Sequence, residues 1–548
     1  MRHEGNPGGR RLRWTRLPRP AVLLALATTA QAQPCPEGAR ALREVQLQGV
    51  HLLPADRTRE RLLSRLGWSA GRCIDAGDVL TATDALRRLY ADGGYGAIRV
   101  DVLDAPADDG VLRLGVVEGR LAAAPEVVNA VRHTPQNVRA SLPALAPGAP
   151  LRLHALDAQL RLANDNPSKE LQVLLKPVPD GDDGAIAAEL RLREMPVRDL
   201  QLALDNTGSR ETGRHRVSAL WRHADLTGRD DVLSLQAQTS PDAPSRVRVL
   251  SAGYRLPRYG PALALEVFAA GSSVRGTHRT AAGDLTLNGD GDVAGAKATW
   301  FLPRWDGYDQ RLAFALERRR YRNQCAFSDL PPEACGAAGA DATLVPATLE
   351  YTAQRTARAA TAFGVRLQRG LGGGSSTEAL HASRLGARAD AWPVRYGATV
   401  RLPFGDDWLA TLRGSGQWSR QPLIPGEMFG AGGPNTVRGY PDREVAGDIG
   451  WTATLEVGRV GLFTAETQGR AALSVVGFVD AGNVRNRGDL ECRAGHTRCR
   501  LASVGGGLRA LWDDWSLHLD LGIAQRETPD TRRGRVRAHF ALATHFGH

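Results

Sequence analysis

Arg438 and Asp480 are the residues of this sequence whose types and spacing point furthest, and the chemistry they offer is electrostatic. Asp480 closes the run Ser474, Val476, Phe478, Asp480, whose alternate positions share one face of a strand. If that face turns toward a narrow lumen, the carboxylate needs a partner, because an unpaired charge away from bulk water is costly. Arg438 stands in Val437-Arg438-Gly439-Tyr440, within a segment 419–448 long enough to fold back inside. A guanidinium there supplies a bidentate partner, and Gly439 permits a tight approach to the wall. Read alone, the tetrapeptide is an ordinary loop. With Phe478, Asp480 and Gly482 following in order, it becomes half of a two-part unit. The loop motif (Val437, Arg438, Gly439, Tyr440) lies in a lumen, and the partner motif (Phe478, Asp480, Gly482) lies on its wall.

Six cysteines offer the next possible chemistry. Cys325 with Cys335 and Cys492 with Cys499 are close pairs, and Cys35 and Cys73 remain as a third. No C-x-x-C or His-rich spacing suggests zinc, so structural crosslinks are expected rather than a metal. The Gly-rich run 370–376 lacks the Lys-Ser/Thr of a phosphate loop and a following helix. No Ser/His/Asp order stands out among thirteen histidines. The expectation is a protein without catalytic residues or cofactor.

The 548 residues are too many for one ordinary domain. A net charge of +11 and a pI near 9.8 raise nucleic-acid binding as a first thought. The distribution argues against it. Only Lys169, Lys176 and Lys297 of the 70 basic residues are lysine, and arginines stand one or two at a time between apolar residues. They read as groups facing water in a pore or on a surface. At the N-terminus, Arg10, Arg11, Arg13, Arg16 and Arg19 precede the apolar stretch 21–30, and Ala30-Gln31-Ala32 offers a cleavage site. This predicts a secretory signal peptide over 1–32. Its apolar stretch falls short of the ~20 residues of a spanning helix, and no later run is long enough.

The elements that must position Arg438 and Asp480 come in two kinds. After a short segment 33–42, residues 43–121 read strand, helix, helix, strand, strand, with Leu62, Leu63 and Leu66 on one helix face and Val79, Ala82, Leu86 and Leu89 on the next. Residues 122–196 give a weaker copy, with helices near 135–142 and 153–164 and strands at 170–176 and 185–193. From 197 to 548 helical spacing stops and alternation takes over, as in Trp515, Leu517, Leu519, Leu521 and Ile523 against Ser516, His518, Asp520 and Gly522. About sixteen such segments occur, joined by alternately short and long connections. The long ones cover about 272–293, 320–343, 371–390, 419–448 and 481–500. Short turns on one side and long loops on the other predict a transmembrane β-barrel of the bacterial outer membrane, with both close cysteine pairs in its extracellular loops.

Several motifs add a resemblance. Leu89-Tyr90, Gly94-Tyr95 and Val117-Glu118-Gly119-Arg120 lie in the first module. Leu142-Pro143-Ala144-Leu145, Pro147-Gly148 and Asn164-Asp165-Asn166-Pro167-Ser168 lie in the second. Leu204-Asp205-Asn206-Thr207-Gly208 opens the barrel, and Val437-Arg438-Gly439-Tyr440 and Phe478-Val479-Asp480-Ala481-Gly482 follow. Together they resemble the two-partner secretion transporters, the TpsB or hemolysin secretion/activation family, over essentially the whole mature chain. The resemblance implies two periplasmic POTRA domains before a barrel of sixteen antiparallel strands. It also implies that POTRA domains capture a secreted partner exoprotein, which passes through the pore without ATP. Other partners are outer-membrane lipids and the barrel-assembly machinery, to which Phe546 near the C-terminus speaks. Only about ten residues separate Gln33 from Glu44, so the plug helix of some members is expected to be absent or very short. A barrel insertase, which shares the loop motif, is the runner-up.

Overall fold

A computed structural model describes residues 35–105, 109–179, 181–280, 283–327, 340–465, 471–488, 490–492 and 495–547. The expected signal peptide and the proposed Cys325–Cys335 link lie outside the described residues and side chains.

In the first module the strand Val111–Glu118 pairs parallel with Glu44–Gln48 and antiparallel with Ile98–Asp104. The helices Ala55–Leu66 and Ala76–Asp92 bury Leu62, Ala82, Leu86 and Tyr90 against Val45, Leu112 and Leu114. The second helix starts where it does because Asp75 and Asp78 form a reciprocal capping box. A disulfide from Cys35 to Cys73 ties the entering chain to this module. The Tyr90 hydroxyl donates to Glu118 at 2.8 Å, and burial and that carboxylate both push the phenol's pKa up. Two residues of the first-module motifs thus meet in its core.

The second module is built around the strand Ala185–Glu194, with Lys169–Pro177 antiparallel on one side and Arg120–Leu121 and Glu126–Val128 parallel on the other. Burial alone would raise the Glu194 carboxyl, but backbone N–H donors of His133, Arg132 and Val131 outweigh it and hold its pKa below the usual value.

Its Asn164–Ser168 motif is the joint to the barrel. Asp165 pairs with the barrel arginines Arg255 and Arg311. The Asn166 amide donates to the carbonyls of Ala224 at 2.7 Å and Asp230 at 3.0 Å, both in a barrel turn. Beside them Lys169 is buried with its Nζ 2.7 Å from Asp230 Oδ2 and 2.9 Å from Ser141 Oγ. Burial pulls the lysine's pKa down, against the pull of Asp230. The helix Leu153–Ala163 packs Ala158 and Leu162 on Ala262, Ala264 and Phe301 at the barrel's periplasmic mouth.

Sixteen antiparallel strands close the barrel, the first (Arg198–Asp205) pairing with the last (Val536–Gly547). Closure leaves no unpaired edge, which a strand protein in hydrocarbon requires. Register puts Leu250, Leu412, Leu455, Val479 and Leu521 outward, and each is roughly half exposed. Trp305, Trp408, Trp512 and Trp515 ring the end nearest the modules, as aromatic girdles do at a membrane interface.

The loop reading needs two corrections. Much of 272–293 is strand, because Leu263–Thr280 and Gly283–Trp305 pair without interruption to Thr280↔Gly283. Likewise Tyr308–Phe327 carries strand into the expected loop 320–343. Small and polar residues that look like loop can continue a hairpin, since ladder bonds need no apolar face once the strands leave the membrane.

Candidate functional site

The long loop between the strands Trp408–Trp418 and Ile449–Ala465 turns back into the barrel. Its tip docks on the inner wall made by the last five strands. Phe478 and Asp480 lie on Ala471–Arg485, the second strand after the loop, and register gives them the inward face that Val479 does not have.

Arg438 sits over this wall, 2 % exposed, and Asp480 is fully buried. Its Nε and Nη2 donate to the two oxygens of Asp480, each at 2.8 Å, and its backbone N–H donates to Asp480 Oδ2 at 3.0 Å. The flat guanidinium lies over the Phe478 ring with its carbon 3.3 Å from the ring centre, a cation–π contact. Arg438 therefore reads one carboxylate through two side-chain donors and one backbone donor, with an aromatic floor beneath.

The neighbours in the motifs supply fit. Gly439 has φ +87°, which a side chain resists. Its N–H donates to His539 Nε2 at 3.0 Å. A Cβ at Gly482 would come within 2.9 Å of Val437 Cγ2. Val437 and Tyr440 are wholly buried in a small core with Val445, Val484 and Leu501. The Tyr440 hydroxyl is 2.8 Å from the Arg526 carbonyl and 2.9 Å from that of Ala502, and it accepts from the Arg526 N–H at 3.1 Å. It fastens the loop tip to the chain between the last two strands.

Several members of the site are absent from the sequence motifs. Glu456 accepts from Arg438 Nη1 at 2.8 Å and lies 3.3 Å from Arg509 Nη2. Asp520 takes Arg509 at 2.8 Å and lies 3.6 Å from Arg438. Gly522 leaves space for the loop, since a Cβ there would be 2.5 Å from the Gly439 nitrogen. Glu456, Asp520 and His539 all stand at polar positions of the alternation, the one signal that could have found them.

Two further clusters hold the same loop closer to its ends. Asp448 pairs with Arg384 at 2.6 and 2.7 Å and accepts backbone N–H bonds from Leu423 and Arg487 at 2.7 Å each. Glu427 takes Arg319 at 2.7 Å, Arg395 at 3.0 Å and the Tyr321 hydroxyl at 2.8 Å. Cys492 and Cys499 form a disulfide beside the Val437–Tyr440 core. Among the described residues no group of acidic, Cys and His side chains could hold a metal ion.

Comparison with known proteins places this geometry. Residues 190–510 match the family model of the haemolysin secretion/activation protein ShlB/FhaC/HecB, and residues 41–119 match the ShlB-type POTRA domain. The hemolysin transporter protein ShlB of Serratia marcescens is 28% identical over 438 residues, which cover 78% of this chain and 72% of that protein. The hemolysin transporter protein HpmB of Proteus mirabilis is 24% identical over 287 residues, 52% of this chain and 48% of its own. CdiB from Escherichia coli shares the fold with a TM-score of 0.78 at 18% identity, over 95% of this chain and 93% of that one. CdiB from Acinetobacter baumannii gives 0.73 at 17%, over 95% and 92%.

Proposed function

The chain belongs to the haemolysin secretion/activation protein family, and from that premise we propose that it exports a large partner exoprotein across the outer membrane, with the loop 419–448 as the gate of its pore. Two POTRA domains, 43–121 and 122–196, stand in the periplasm and receive the partner unfolded. The barrel from 197 onward passes it outward without ATP. The signal peptide 1–32 is removed on the way, and the barrel-assembly machinery, reading the C-terminal strand with Phe546, inserts the protein among outer-membrane lipids.

The observation that carries the gate is the Arg438–Asp480 pair. An extracellular loop occupies the lumen and is fixed there by a bidentate contact on a polar wall with further carboxylates at hand. A permanently filled barrel would do as well with an apolar plug. Charged contacts that can be exchanged suit a loop that must leave the path and return. The receiving surface is supported by the first module's outer strand Ile98–Asp104, where Val102 and Leu103 stand exposed on a sheet edge. Such an edge can accept an extended segment as a further strand.

The test is export of the cognate partner, co-expressed with the full chain. Arg438→Ala is expected to reach the outer membrane and stay heat-modifiable on gels, yet release little partner. Asp480→Ala should match it, and the double variant should be no worse if the two act as one unit. Normal export by Arg438→Ala would overturn the gate, and a missing barrel would assign the motif to assembly.

A further inference from the structure

The outer surface of the barrel carries a second site, away from the lumen, where the second module overhangs the periplasmic rim. The strands Val247–Arg258 and Leu263–Thr280 meet there in a tight turn. Their register pairs Leu256 with Leu265 and Arg258 with Leu263, on the same outward face as the exposed Leu250 and Val267. Against this wall stands the short helix Pro135–Ala140, held to the barrel turn 224–231 by an Asn137 amide that donates to the Gly228 carbonyl at 2.9 Å. Between wall, helix and turn lies a cavity of about 920 Å³.

Its lining is divided. The apolar wall of Leu256, Leu263 and Leu265 carries Arg258 at its foot, beside Leu263, and the barrel turn contributes Arg229. Both arginines are exposed, and among the described residues neither guanidinium has a hydrogen-bond or ion-pair partner. The carboxylate in the lining, Asp230, is already taken up by Lys169 and by the Tyr259 hydroxyl at 2.6 Å. The cavity therefore presents two unneutralised cations and no free anion. A second, apolar cavity of about 450 Å³ continues from it up the outer wall, sharing Leu256 and Leu265 and running over Ala296 and Ala298 to Phe314.

We propose that this paired cavity binds one glycerophospholipid of the inner leaflet, its phosphate between Arg229 and Arg258 and an acyl chain in the groove above. Depth selects the ligand. A transmembrane barrel meets hydrocarbon on its outward face and headgroups at its rim, and the cavities place cations at the rim and an apolar slot above them in that order. Charge selects it too, since basic pockets at a membrane surface recognise anionic headgroups. A lipid seated here touches both module and barrel, so it is a third component of the joint formed by Asn166 and Lys169.

The experiment is native mass spectrometry of the full chain, purified in mild detergent, stripped of lipid and titrated with phosphatidylglycerol or with diacylglycerol of the same chains. One phosphatidylglycerol is expected to bind at low concentration, and diacylglycerol at least about tenfold more weakly. Arg229→Ala with Arg258→Ala should weaken the phospholipid about tenfold while leaving diacylglycerol unchanged. Ala298→Phe, which fills the slot and keeps both charges, should weaken both. Equal binding of the two lipids by the natural chain, or unchanged phospholipid binding by the double arginine variant, would overturn the proposal. So would displacement of the bound lipid by inorganic phosphate alone. Export plays no part in the readout, so the gate and this site stand or fall separately.

Discussion

At the periplasmic joint, Lys169 lies 2.7 Å from Asp230 with both side chains sealed from water. In the lumen, Arg438 meets Asp480 at 2.8 Å, with as little exposure. The two pairs match in burial and differ in what surrounds them. Beside Lys169 the ammonium also meets the Ser141 hydroxyl and lies over the Tyr259 ring, whose hydroxyl donates to the same carboxylate. Around Arg438 stand Glu456 and Asp520, with Arg509 bridging them. An ammonium is a compact point charge, whereas a guanidinium can hold several acceptors at once and exchange them. The joint is built to stay formed, and the loop contact is built with alternatives in reach.

The largest expected effect comes from breaking the joint. Lys169→Met leaves Asp230 buried without its cation, a loss of about 3–5 kcal/mol. Undocking of the second module should then be more frequent by roughly a hundredfold to a few thousandfold, read as the rate of protease cleavage at 195–198 in the folded, reconstituted protein. Asp230→Asn should cost less. Burial already pulls the Lys169 pKa down, so a lysine deprived of its carboxylate can shed its proton, while an aspartate deprived of its lysine keeps the Tyr259 and Ser141 hydroxyls and His133, whose Nδ1 lies 3.7 Å away. If Asp230→Asn proved the more damaging, the joint would not be the sealed point-charge pair described above.

The lumen should respond more mildly. Arg438→Ala is expected to cost about 3 kcal/mol of loop docking, softened because Arg509 already lies among Glu456 and Asp520. The measurement is single-channel conductance in planar bilayers, which should rise and flicker as the loop leaves the lumen, while the barrel's heat-modifiable band remains. Arg438→Lys should fall between, because an ammonium cannot reach both oxygens of Asp480 and Glu456 in one plane. Conductance equal to that of the natural chain in Arg438→Ala would remove the distinction between a fixed joint and an exchangeable gate contact.

How much of this was legible beforehand follows from the same physics. Strand number and inward side were legible because alternation has a period of two, and a one-residue slip would turn every side chain over. The strand Ala471–Arg485 shows it, with Phe478 and Asp480 inward and Val479 outward. Arg438 stood out only together with Phe478, Asp480 and Gly482 on a later strand, since its own tetrapeptide reads as an ordinary loop. Glu456, Arg509, Asp520 and His539 did not, because every strand of a wet lumen carries polar inward residues and register alone says which of them converge. Much of 272–293 read as loop for the reason that a strand outside the bilayer needs no apolar face. Asn166 was legible as part of a motif and Lys169 only as one of three lysines, neither as a joint, since their partners lie some sixty residues away in a barrel turn.

Each buried pair has a lesser fastener beside it, and these give smaller effects. Cys492–Cys499 closes a short loop against the core of Val437 and Tyr440. Replacing both cysteines by serine should leave barrel assembly intact, since a link spanning seven residues constrains few of the unfolded chain's conformations. What should change is the loop tip. Hydrogen exchange at 437–440 is expected to speed up severalfold, and much less than in Arg438→Ala. Exchange as fast as in the arginine variant would make the disulfide, and not the ion pair, the main hold on the loop.

The smallest effect belongs to Glu194, the fastener at the joint, and its sign can be worked out. Burial would raise its pKa, yet the N–H donors of His133, Arg132 and Val131 bring it below the ordinary value. A carboxyl whose folded pKa is depressed adds stability above its unfolded pKa, about 4.3 for glutamate, and loses it as the pH falls through the folded value. Glu194→Gln should therefore lower the melting of the modules at pH 7 by a few degrees at most, and the difference should shrink as the pH falls through the depressed folded pKa and the natural residue itself becomes neutral. The readout is the module transition in calorimetry, separate from the barrel's because the two need not unfold as one unit. The 131–133 turn that Glu194 holds includes His133, whose Nε2 lies 3.3 Å from Ser168 Oγ, next to Lys169 in the joint. A pH-dependent difference that also appeared in the Lys169→Met cleavage rate would show the turn and the ion pair to be one cooperative fastening. Independence would leave Glu194 as a local cap, and the joint would then owe nothing to the 131–133 turn.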